Sequence, residues 1–493
     1  MAGATLPLLG RWRKEPRIHA LLPRLGLPPW GAEADWPRGG SCAANACAPG
    51  PPALVMAFLW PSRLVDALQS LLGCAALRDS FLCRACSAGS FFSGLGTSEI
   101  GWRAVGAALR AQGFPFSLTC HFACDVDADC RNVLTGLGLG HVFGDIMALI
   151  AAVVDETWHV TRKERSIMCA PVRASSQCYQ CGVTCPCGPV QVTVSGSPCQ
   201  DWISAGNMLG LGGKRAHVLL AWIRWHIVWE PPLIIHENVT RFDLQVLESR
   251  LGEVYWVYSV VCNPGDVGWT CVRRPRLYVA LVHTAKLGVC YDPVRLFWEV
   301  CRHLGGGQPL QVSDLLVATP AEVCHEAWLV GRERRRQLRQ QCSAAGAAER
   351  IALAVGAAGM EPERLLSPGE RLRLAAYLRR WKQKDWGEAS GCSNLVLNLG
   401  DNPEAGWLSW SAPKEWGGHF VIPTLRRAWT VQWLPALRRW LTRSERLVLM
   451  GFPAYPELAQ LYGLPGACQI SWRTSKRRWV MQCMSQTWVF GRR

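Results

Sequence analysis

The sequence predicts an α/β fold in which short apolar strands alternate with helices around a mostly parallel sheet. From residue 88 onward, apolar runs of strand length are separated by segments whose apolar residues have helical spacing. Polar or reactive residues follow directly after several of these runs, and the carboxyl ends of parallel strands are where such sheets bind ligands. The 493 residues, 49% of them hydrophobic, suffice for two or three domains.

The main elements can be assigned in order along the chain. Apolar runs predict strands at residues 91–92, 116–123, 141–146, 190–194, 233–235 and 276–284. A helix is predicted after the first strand, because four apolar residues recur on one face: Ile100, Val105, Ala108 and Leu109. Another helix is predicted to begin at Ser367-Pro-Gly-Glu370, which has the pattern of a capping box with proline at the first helical position.

The net charge, the cysteines and the apolar stretches limit the kinds of protein that this chain can be. The formal charge of +16 is expected both for a partner of nucleic acid and for a generally basic protein. The 23 cysteines lack the spacing of a secreted disulfide framework, so we expect reduced thiols. The most apolar stretch, 216–235, is interrupted by Arg224, His226 and Glu230, which argues against a membrane span.

Two regions have a biased composition. Residues 1–85 are rich in Pro, Gly and Ala, and we expect a poorly ordered basic extension with one helix at 61–72. The basic residues of its first 24 positions favour a disordered arm, with an organelle transit segment as the alternative. Residues 291–430 are rich in arginine, which indicates either a solvated helix face or contact with phosphates.

Three strand ends carry candidate ligands for a cofactor. Gly94-x-Gly96 lies between the first strand and its helix, where glycines let the backbone approach a cofactor closely, although a plain tight turn explains them equally well. Asp125, at the end of the second strand, could bind ribose hydroxyls. Asp145, after the third strand, could accept a hydrogen bond from an adenine amino group. Taken singly, each carboxylate could also be an ordinary surface group.

The next strand ends carry candidate catalytic groups. Cys199 lies in a turn bounded by Gly, Ser and Pro, which would hold a nucleophile exposed, although most cysteines are buried structural residues. Glu237, after the adjacent strand, could donate a proton to a ring nitrogen if burial raises its pKa. Arg274 and Arg276 project to one face of an extended segment and could bind a base carbonyl or a phosphate.

Taken in order, these motifs resemble those of the cytosine-5 DNA methyltransferase family. The similar segments are Phe92-Ser-Gly-Leu-Gly96, Asp125-Val-Asp127, Gly144-Asp145, Gly196-Ser-Pro-Cys-Gln200, Glu237-Asn-Val239, Arg274-Pro-Arg276-Leu-Tyr278, 421–427 and 441–453. The match spans about 88–290 and 420–484. Its most specific part is the Pro-Cys-Gln and Glu-Asn-Val pair.

The resemblance implies a Rossmann-like S-adenosylmethionine-dependent methyltransferase fold with a smaller target recognition domain. It implies a catalytic domain in two parts, 86–290 and 431–493, separated by a target recognition region at 291–430. The implied substrate is a cytosine flipped out of double-stranded DNA, which receives a methyl group at C5. We expect a monomer without membrane association, located in the nucleus or, if the basic N-terminus is a transit segment, in an organelle.

Site residues follow from the same resemblance. The Cys199 thiolate would attack C6, Glu237 would hydrogen-bond or protonate N3, Arg276 would orient the base, and Arg274 would support Arg276. Ten residues would bind S-adenosylmethionine: Phe92, Ser93, Gly94, Leu95, Gly96, Asp125, Val126, Asp145, Ile146 and Pro198.

The chain departs from the family's pattern at three places. Val272 stands where a glutamine is expected, and the serine expected directly after Trp202 is displaced to Ser204. Met481 and Gln482 replace a glycine and an asparagine of the last motif, which helps complete the cofactor pocket. Two alternatives therefore stay open: a catalytically impaired relative that binds nucleic acid, and an RNA cytosine-5 methyltransferase. The closest RNA-directed form carries a Cys-Phe-Thr element that is absent from 285–430.

A cysteine cluster lies in an insertion before Cys199. Its pattern, Cys178-x2-Cys181-x3-Cys185-x-Cys187, resembles a zinc knuckle loosely, but the second pair is spaced too tightly for the usual two-knuckle site. We therefore expect a reduced, Cys-rich loop and no metal ligands.

Overall fold

The computed structural model describes residues 53–80, 85–155, 157–203, 208–306, 309–341, 362–384, 386–404, 410–411, 420–422, 425 and 430–462. The helices within these residues are α1 Ala53–Phe58, α2 Trp60–Leu72, α3 Cys74–Asp79, α4 Thr97–Ala111, α5 Ala128–Gly136, α6 Val160–Met168, α7 Ala216–Trp229, α8 Gln245–Leu251, α9 Pro293–Gly305, α10 Pro320–Gln341, α11 Pro368–Gln383, α12 Arg443–Leu449 and α13 Pro456–Leu461. The strands are β1 Ala85–Phe91, β2 Ser117–Cys124, β3 His141–Phe143, β4 Ser175–Gln177, β5 Thr184–Pro186, β6 Val192–Ser195, β7 Leu233–Asn238, β8 Tyr255–Cys262, β9 Arg276–His283, β10 Leu397–Asn398, β11 Gln432–Leu434 and β12 Arg439–Trp440.

A seven-stranded sheet organises the larger part of the molecule, with the order β3-β2-β1-β6-β7-β9-β8. The first five strands in this order are parallel, whereas β9 runs antiparallel to both β7 and β8. The order reverses between β1 and β6, which is the place where open α/β sheets bind ligands. The predicted α/β fold with a mostly parallel, Rossmann-like sheet is confirmed.

Both faces of the central strand β7 are buried. Ile234 of β7 packs with Trp222 and Trp225 of α7 on one face, while Leu233 and Ile235 belong to a second core cluster on the other face. All six residues of β7 are buried, as expected for a central strand that is covered on both faces. Among the described residues, no helix is long and apolar enough to cross a membrane.

The region before the sheet differs from the prediction. The sequence predicts a poorly ordered extension with one helix, but residues 53–79 form three helices, and their apolar faces are buried. Phe58 packs against Trp269, and the indole N–H of Trp60 donates a hydrogen bond of 2.7 Å to the hydroxyl of Tyr462. This segment is ordered because it buries its side chains against distant parts of the chain, which local composition does not reveal. Residues 1–52, including the basic N-terminus, lie outside the described residues.

A smaller unit has its own core. Strands β10, β11 and β12 form a three-stranded antiparallel sheet that packs with α11 around Tyr377 and Trp381. Helix α11 begins with the predicted capping box: the Ser367 hydroxyl accepts a hydrogen bond from the Glu370 N–H, and the Glu370 carboxylate accepts one from the Ser367 N–H. Two elements cross the domain borders expected from the sequence. Helix α9 packs against α2, and β11 and β12 pair within the smaller sheet.

Most predicted strands are present, with shifted ends. Strand β8 and the β4–β5 hairpin were not predicted. Strand β8 lies at the edge of the sheet, so most of its side chains are only partly buried and show no alternation. The hairpin strands have three residues each, too few for a periodic pattern.

Replacing Gly89→Ala in β1 should destabilise the sheet. A Cβ at this position would lie 2.4 Å from the buried ring of Phe122, so neighbouring groups must shift. We expect a loss of about 1–3 kcal/mol, typical of overpacking, measured as a lower urea midpoint of tryptophan fluorescence. Gly136→Ala is the control, because its Cβ would meet nothing within 4 Å. Equal midpoints for the two variants would show that the sheet adjusts freely at Phe122.

Candidate active site

The predicted site residues lie along one edge of the large sheet. Phe92, Asp125 and Asp145 follow β1, β2 and β3, while Cys199 follows β6 and Glu237 lies near the end of β7. Because these five strands are parallel, their carboxyl ends point to the same edge. The candidate cofactor ligands therefore occupy one side of the switch point between β1 and β6, and the candidate catalytic groups occupy the other.

Buried polar side chains of β7 form hydrogen bonds with the turn that carries Cys199. The Ser197 hydroxyl lies 2.9 Å from both His236 Nε2 and the side-chain nitrogen of Asn238, which donates to it. The Trp202 N–H donates to the Cys199 carbonyl at 3.0 Å, closing the turn on its far side. The thiol itself is half-buried. It is therefore fixed in place but not sealed off, as a nucleophile requires.

Glu237 forms a buried ion pair with Arg276. Its Oε1 lies 2.9 Å from Arg276 Nε, and the carboxylate is only 3% exposed. In the antiparallel register, Asn238 faces Leu277, which brings the first residue of β9 to the end of β7. Apart from this ion pair, Oε1 has no hydrogen-bond partner among the described residues. A ligand that offers a donor could therefore still bind this oxygen.

Arg274 is buried beside this pair. Its Nε has no hydrogen-bond partner within the described part of the chain, and burial lowers the pKa of its guanidinium to about 9. The backbone is fixed, since the Arg274 N–H donates to Asn263 Oδ1 at 2.8 Å. An unpaired buried donor of this kind is costly unless a ligand satisfies it.

Residues from far along the chain clamp the segment before Arg274. The Ile422 N–H donates to the Cys271 carbonyl at 2.8 Å, and the Arg273 N–H donates to the Ile422 carbonyl at 3.1 Å. The indole N–H of Trp269 donates to the Leu449 carbonyl at 2.7 Å. The arginine segment therefore depends on contacts with residues about 150 to 180 positions later in the sequence.

Burial and the neighbouring charges of this cluster shift the pKa of the Cys199 thiol. Burial raises the pKa of the Cys199 thiol, the Glu237 carboxylate raises it further, and Arg276 and Arg274 lower it. Burial also raises the pKa of Glu237, against the effect of both arginines. When Glu237 holds a proton, its charge no longer opposes ionisation of Cys199, and the arginines then favour the thiolate. The geometry thus couples an acid to a nucleophile.

The loop after β1 has the backbone geometry of a tight ligand-binding turn. Phe92, Gly94 and Gly96 all have positive φ, at 56°, 57° and 75°. The buried Ser93 hydroxyl accepts a hydrogen bond of 2.9 Å from the Cys124 N–H, which ties this loop to the end of β2. The strain at Phe92, a residue that rarely adopts positive φ, is typical of functional turns.

Asp125 joins this loop to β2. One of its carboxylate oxygens accepts the Gly94 N–H and the other accepts the Asp127 N–H, both at 2.8 Å. Burial raises the pKa of this carboxyl group, and the two backbone donors lower it. Each oxygen accepts one bond here, so lone pairs remain for hydroxyl donors of a ligand.

The other predicted cofactor residues differ in exposure. Val126 and Asp145 are exposed, and one Asp145 oxygen accepts the Met147 N–H at 2.9 Å. Ile146 and Leu95 are buried in the core, whereas Pro198 is half-buried beside Cys199. The altered last motif with Met481 and Gln482, the displaced Ser204 and most of segment 421–427 lie outside the described residues.

Two buried polar residues near the site were missed by the sequence reasoning. Glu99 in the first turn of α4 hydrogen-bonds Ser90, its Oε2 has no partner among the described residues, and burial raises its pKa. Burial lowers the pKa of His236 to about 3, so this residue supports the Cys199 turn as a neutral ring. Strand parity could have indicated His236, because it shares a face of β7 with Asn238.

The arginine clusters are partly used for internal contacts. Arg334 pairs with Glu370 at 2.7 Å, and Arg373 donates to a backbone carbonyl of the smaller unit. Four other basic residues are exposed on α10 and α11: Arg332, Arg371, Arg379 and Lys382. These four remain available for phosphate contacts.

The fold and the groups at the carboxyl ends of its strands define a Rossmann-like α/β protein. It carries a thiol and a buried ion pair between a glutamate and an arginine beside the switch point. No protein-family profile and no curated protein matches the chain. Similar solved structures include a prophage-encoded candidate DNA modification methyltransferase of E. coli. That structure is 13% identical with a TM-score of 0.40, and the match covers 83% of this chain and 98% of the other.

Two further similar structures are the Dnmt2 methyltransferase of S. pombe and the methyltransferase EhMeth of Entamoeba histolytica. The first is 15% identical with a TM-score of 0.30, and the match covers 47% of this chain and 60% of the other. The second is 14% identical with a TM-score of 0.31 and coverages of 48% and 62%. This chain thus spans about three fifths of their length.

Alkylation of Cys199 should report its coupling to Glu237. Because burial and the carboxylate raise the thiol pKa, iodoacetamide should modify Cys199 more slowly than the exposed Cys290 at neutral pH. Glu237→Gln removes one cause of the raised pKa, so modification should become roughly three- to tenfold faster. Mass spectrometry of the Cys199 peptide measures the rate. Glu253→Gln, an exposed site, is the control, and an unchanged rate in Glu237→Gln would contradict the coupling.

Proposed function

We propose that this protein is an S-adenosylmethionine-dependent DNA (cytosine-5-)-methyltransferase. The observation that carries the proposal is the cluster at the carboxyl ends of β6 and β7, where the electrostatic fields of Glu237, Arg274 and Arg276 act on the half-buried thiol of Cys199. A thiol, a proton donor and cations that bind a carbonyl are the groups needed to activate a pyrimidine ring.

Each group has a distinct part in this chemistry. The Cys199 thiolate adds to C6 of a cytosine that has been extruded from the duplex, since C6 is inaccessible within the stack. Glu237 shares its proton with N3, so the ring accepts the electron pair and C5 becomes nucleophilic. Arg276 orients the base, and Arg274 supports Arg276 through the same buried cluster. Once C5 has received the methyl group, loss of the C5 proton to water and elimination of the Cys199 thiolate release 5-methylcytosine.

Ionisation of the thiol follows from substrate binding in this scheme. In the free site the Glu237 carboxylate opposes thiolate formation. When Glu237 takes up a proton from solvent and shares it with N3, that opposition is lost; the thiol proton passes to solvent, and the two arginines favour the Cys199 thiolate. The nucleophile is therefore activated when a cytosine is in place, which limits reactions of the thiol with other molecules.

The loop between β1 and α4 fits S-adenosylmethionine, which when bound supplies the methyl group. Asp125 keeps free lone pairs for ribose hydroxyls beside a backbone with positive φ at Phe92, Gly94 and Gly96. Glu99 Oε2, which has no hydrogen-bond partner in the described part of the chain, is a further buried acceptor next to this loop, 3.5 Å from the position that a Cβ on Gly96 would occupy. Asp145, exposed after β3, is placed to accept an amino hydrogen.

DNA is favoured over RNA as the substrate by one sequence feature, the absence of a Cys-Phe-Thr element from 285–430. The exposed basic residues on α10 and α11 suit either polyanion. The replacement of glycine and asparagine by Met481 and Gln482 favours a second candidate function, an impaired relative that binds nucleic acid without methylating it.

Covalent trapping should test the nucleophile. A duplex DNA pool of random sequence that contains 5-fluorocytosine is incubated with the protein and S-adenosylmethionine. Fluorine at C5 cannot leave as a proton does, so the Cys199 adduct should persist in a denaturing gel. Cys199→Ala should abolish it, whereas Cys290→Ala, at an exposed site, should not. Adducts on RNA alone would support RNA specificity, and DNA that binds without an adduct would support the impaired relative.

Titration with S-adenosylmethionine should test the cofactor loop. We expect saturable binding by calorimetry and roughly 10- to 100-fold weaker binding for Asp125→Ala, because hydrogen bonds to a charged group are lost. Asp155→Ala is the control, since this exposed carboxylate bonds only Thr157 among the described residues. Equal affinity of the two variants would place the ribose site away from Asp125. Absence of binding by the wild-type chain would contradict the active enzyme.

A further inference from the structure

The cysteine insertion folds into a hairpin with a tight turn at its tip. Cys178 directly follows β4, and Cys185 lies in β5, which pairs antiparallel with β4. Between them the Gly182 N–H donates to the Cys178 carbonyl at 2.9 Å, and the Cys178 N–H donates to the Val183 carbonyl at 2.9 Å. Gly182 has φ +74°, a conformation that side chains disfavour. This turn brings the three thiols of Cys178, Cys181 and Cys185 to one side of the hairpin.

A histidine from another element completes this group. His141 Nδ1, at the start of β3, lies 3.7 Å from Cys178 Sγ and 3.5 Å from Cys181 Sγ. The ligand atoms of His141, Cys178, Cys181 and Cys185 all lie within 4.8 Å of one another. In a tetrahedral zinc site with Zn–S bonds near 2.3 Å, neighbouring ligand atoms are separated by about 3.5–3.8 Å. The two distances from His141 match this spacing, and the remaining ones, at most 4.8 Å, exceed it by about 1 Å or less.

Backbone donors support a charged form of the most buried thiol. The Val142 N–H and the Cys181 N–H both donate to Cys178 Sγ at 3.4 Å. Paired N–H donors to one sulfur are the hydrogen bonds that orient and stabilise thiolate ligands around a metal. A fully buried thiol without a metal would have little need for two donors.

We propose that His141, Cys178, Cys181 and Cys185 bind a structural Zn²⁺ ion. Three thiolates and one imidazole are a ligand set that zinc prefers, and four protein ligands leave no open position for catalysis. In the sequence, Cys185 and Cys187 are spaced too tightly to serve as the second pair of a two-knuckle site, but this ligand set does not need Cys187. Cys187 is not the fourth ligand but a buried core residue, and His141 occupies the fourth position instead.

The metal fastens the insertion to the edge of the large sheet. The Tyr179 N–H, between two of the ligands, donates to the Val142 carbonyl at 2.7 Å. The Tyr179 ring lies against Gly144, where a Cβ would approach it to 3.0 Å, and Arg131 lies over the same ring at 4.0 Å. Zinc therefore holds the hairpin beside the loop that leads to Asp145.

Metal analysis of the purified full-length protein tests the assignment. We expect about one Zn²⁺ per chain by plasma mass spectrometry, and loss of most of it in both Cys181→Ser and His141→Ala. Cys181 is exposed, so its replacement should leave the circular dichroism spectrum intact. Cys187→Ala is the matched control in the same hairpin and should retain the metal. Full zinc content in His141→Ala, or none in the reduced wild-type chain, would overturn the site.

Cobalt substitution provides a readout of the ligands themselves. Co²⁺ bound to the zinc-free wild-type protein should give the intense visible bands of tetrahedral coordination together with thiolate charge-transfer absorption. At Co²⁺ concentrations high enough to load the weakened variant, the charge-transfer intensity per bound Co²⁺ should fall by about one third in Cys181→Ser, which loses one of three thiolates. A weak octahedral spectrum, or equal intensity in this variant and in Cys187→Ala, would contradict the Cys3His set.

Discussion

The candidate active site depends on the antiparallel pairing of β9 with β7. This pairing carries Arg276 to the end of β7 at which Glu237 lies, and the two form a buried ion pair there. A parallel β9 would begin at the opposite edge of the sheet and leave the carboxylate without a cation. Breaking a buried pair by removing one partner typically costs about 3–5 kcal/mol. The ion pair therefore favours the antiparallel direction of β9, since only this direction gives the buried carboxylate its cation.

Burial strengthens the electrostatic coupling between the ionisable groups of this site. In water, two unit charges about 4 Å apart interact by only about 1 kcal/mol, because the solvent screens them, and the interaction is several times larger near or inside a protein. Among the buried side chains around Cys199, each charge changes the protonation of the others. The neutral His236 below the turn keeps the scaffold free of a competing cation. Adding one proton to Glu237 therefore changes the ionisation of Cys199.

Spacing and strand ends predict that the candidate site residues lie at one edge of the sheet, as they do, but not which partners they contact. Cys199 and Glu237 could be found because parallel strands present their carboxyl ends at one edge. That Asn263 fixes Arg274 depends on β8, an edge strand without a clear pattern. The closeness of His141 to Cys178, 37 residues apart, depends on how the hairpin folds back onto β3. Contacts between distant segments are set by packing, and local sequence patterns do not encode them.

The clamp on the arginine segment has a consequence for biosynthesis. Ile422 and Leu449 hold the backbone from Trp269 to Arg273, and both emerge from the ribosome long after the seven strands of the large sheet. A nascent chain that has reached residue 400 carries every strand of that sheet but not the residues that fix its arginines. Translation order therefore separates synthesis of the sheet strands from synthesis of the residues that hold the arginine segment. A product terminated in that interval would contain all seven strands but would lack both the residues that hold the arginine segment and the part of the core formed by residues 434–462.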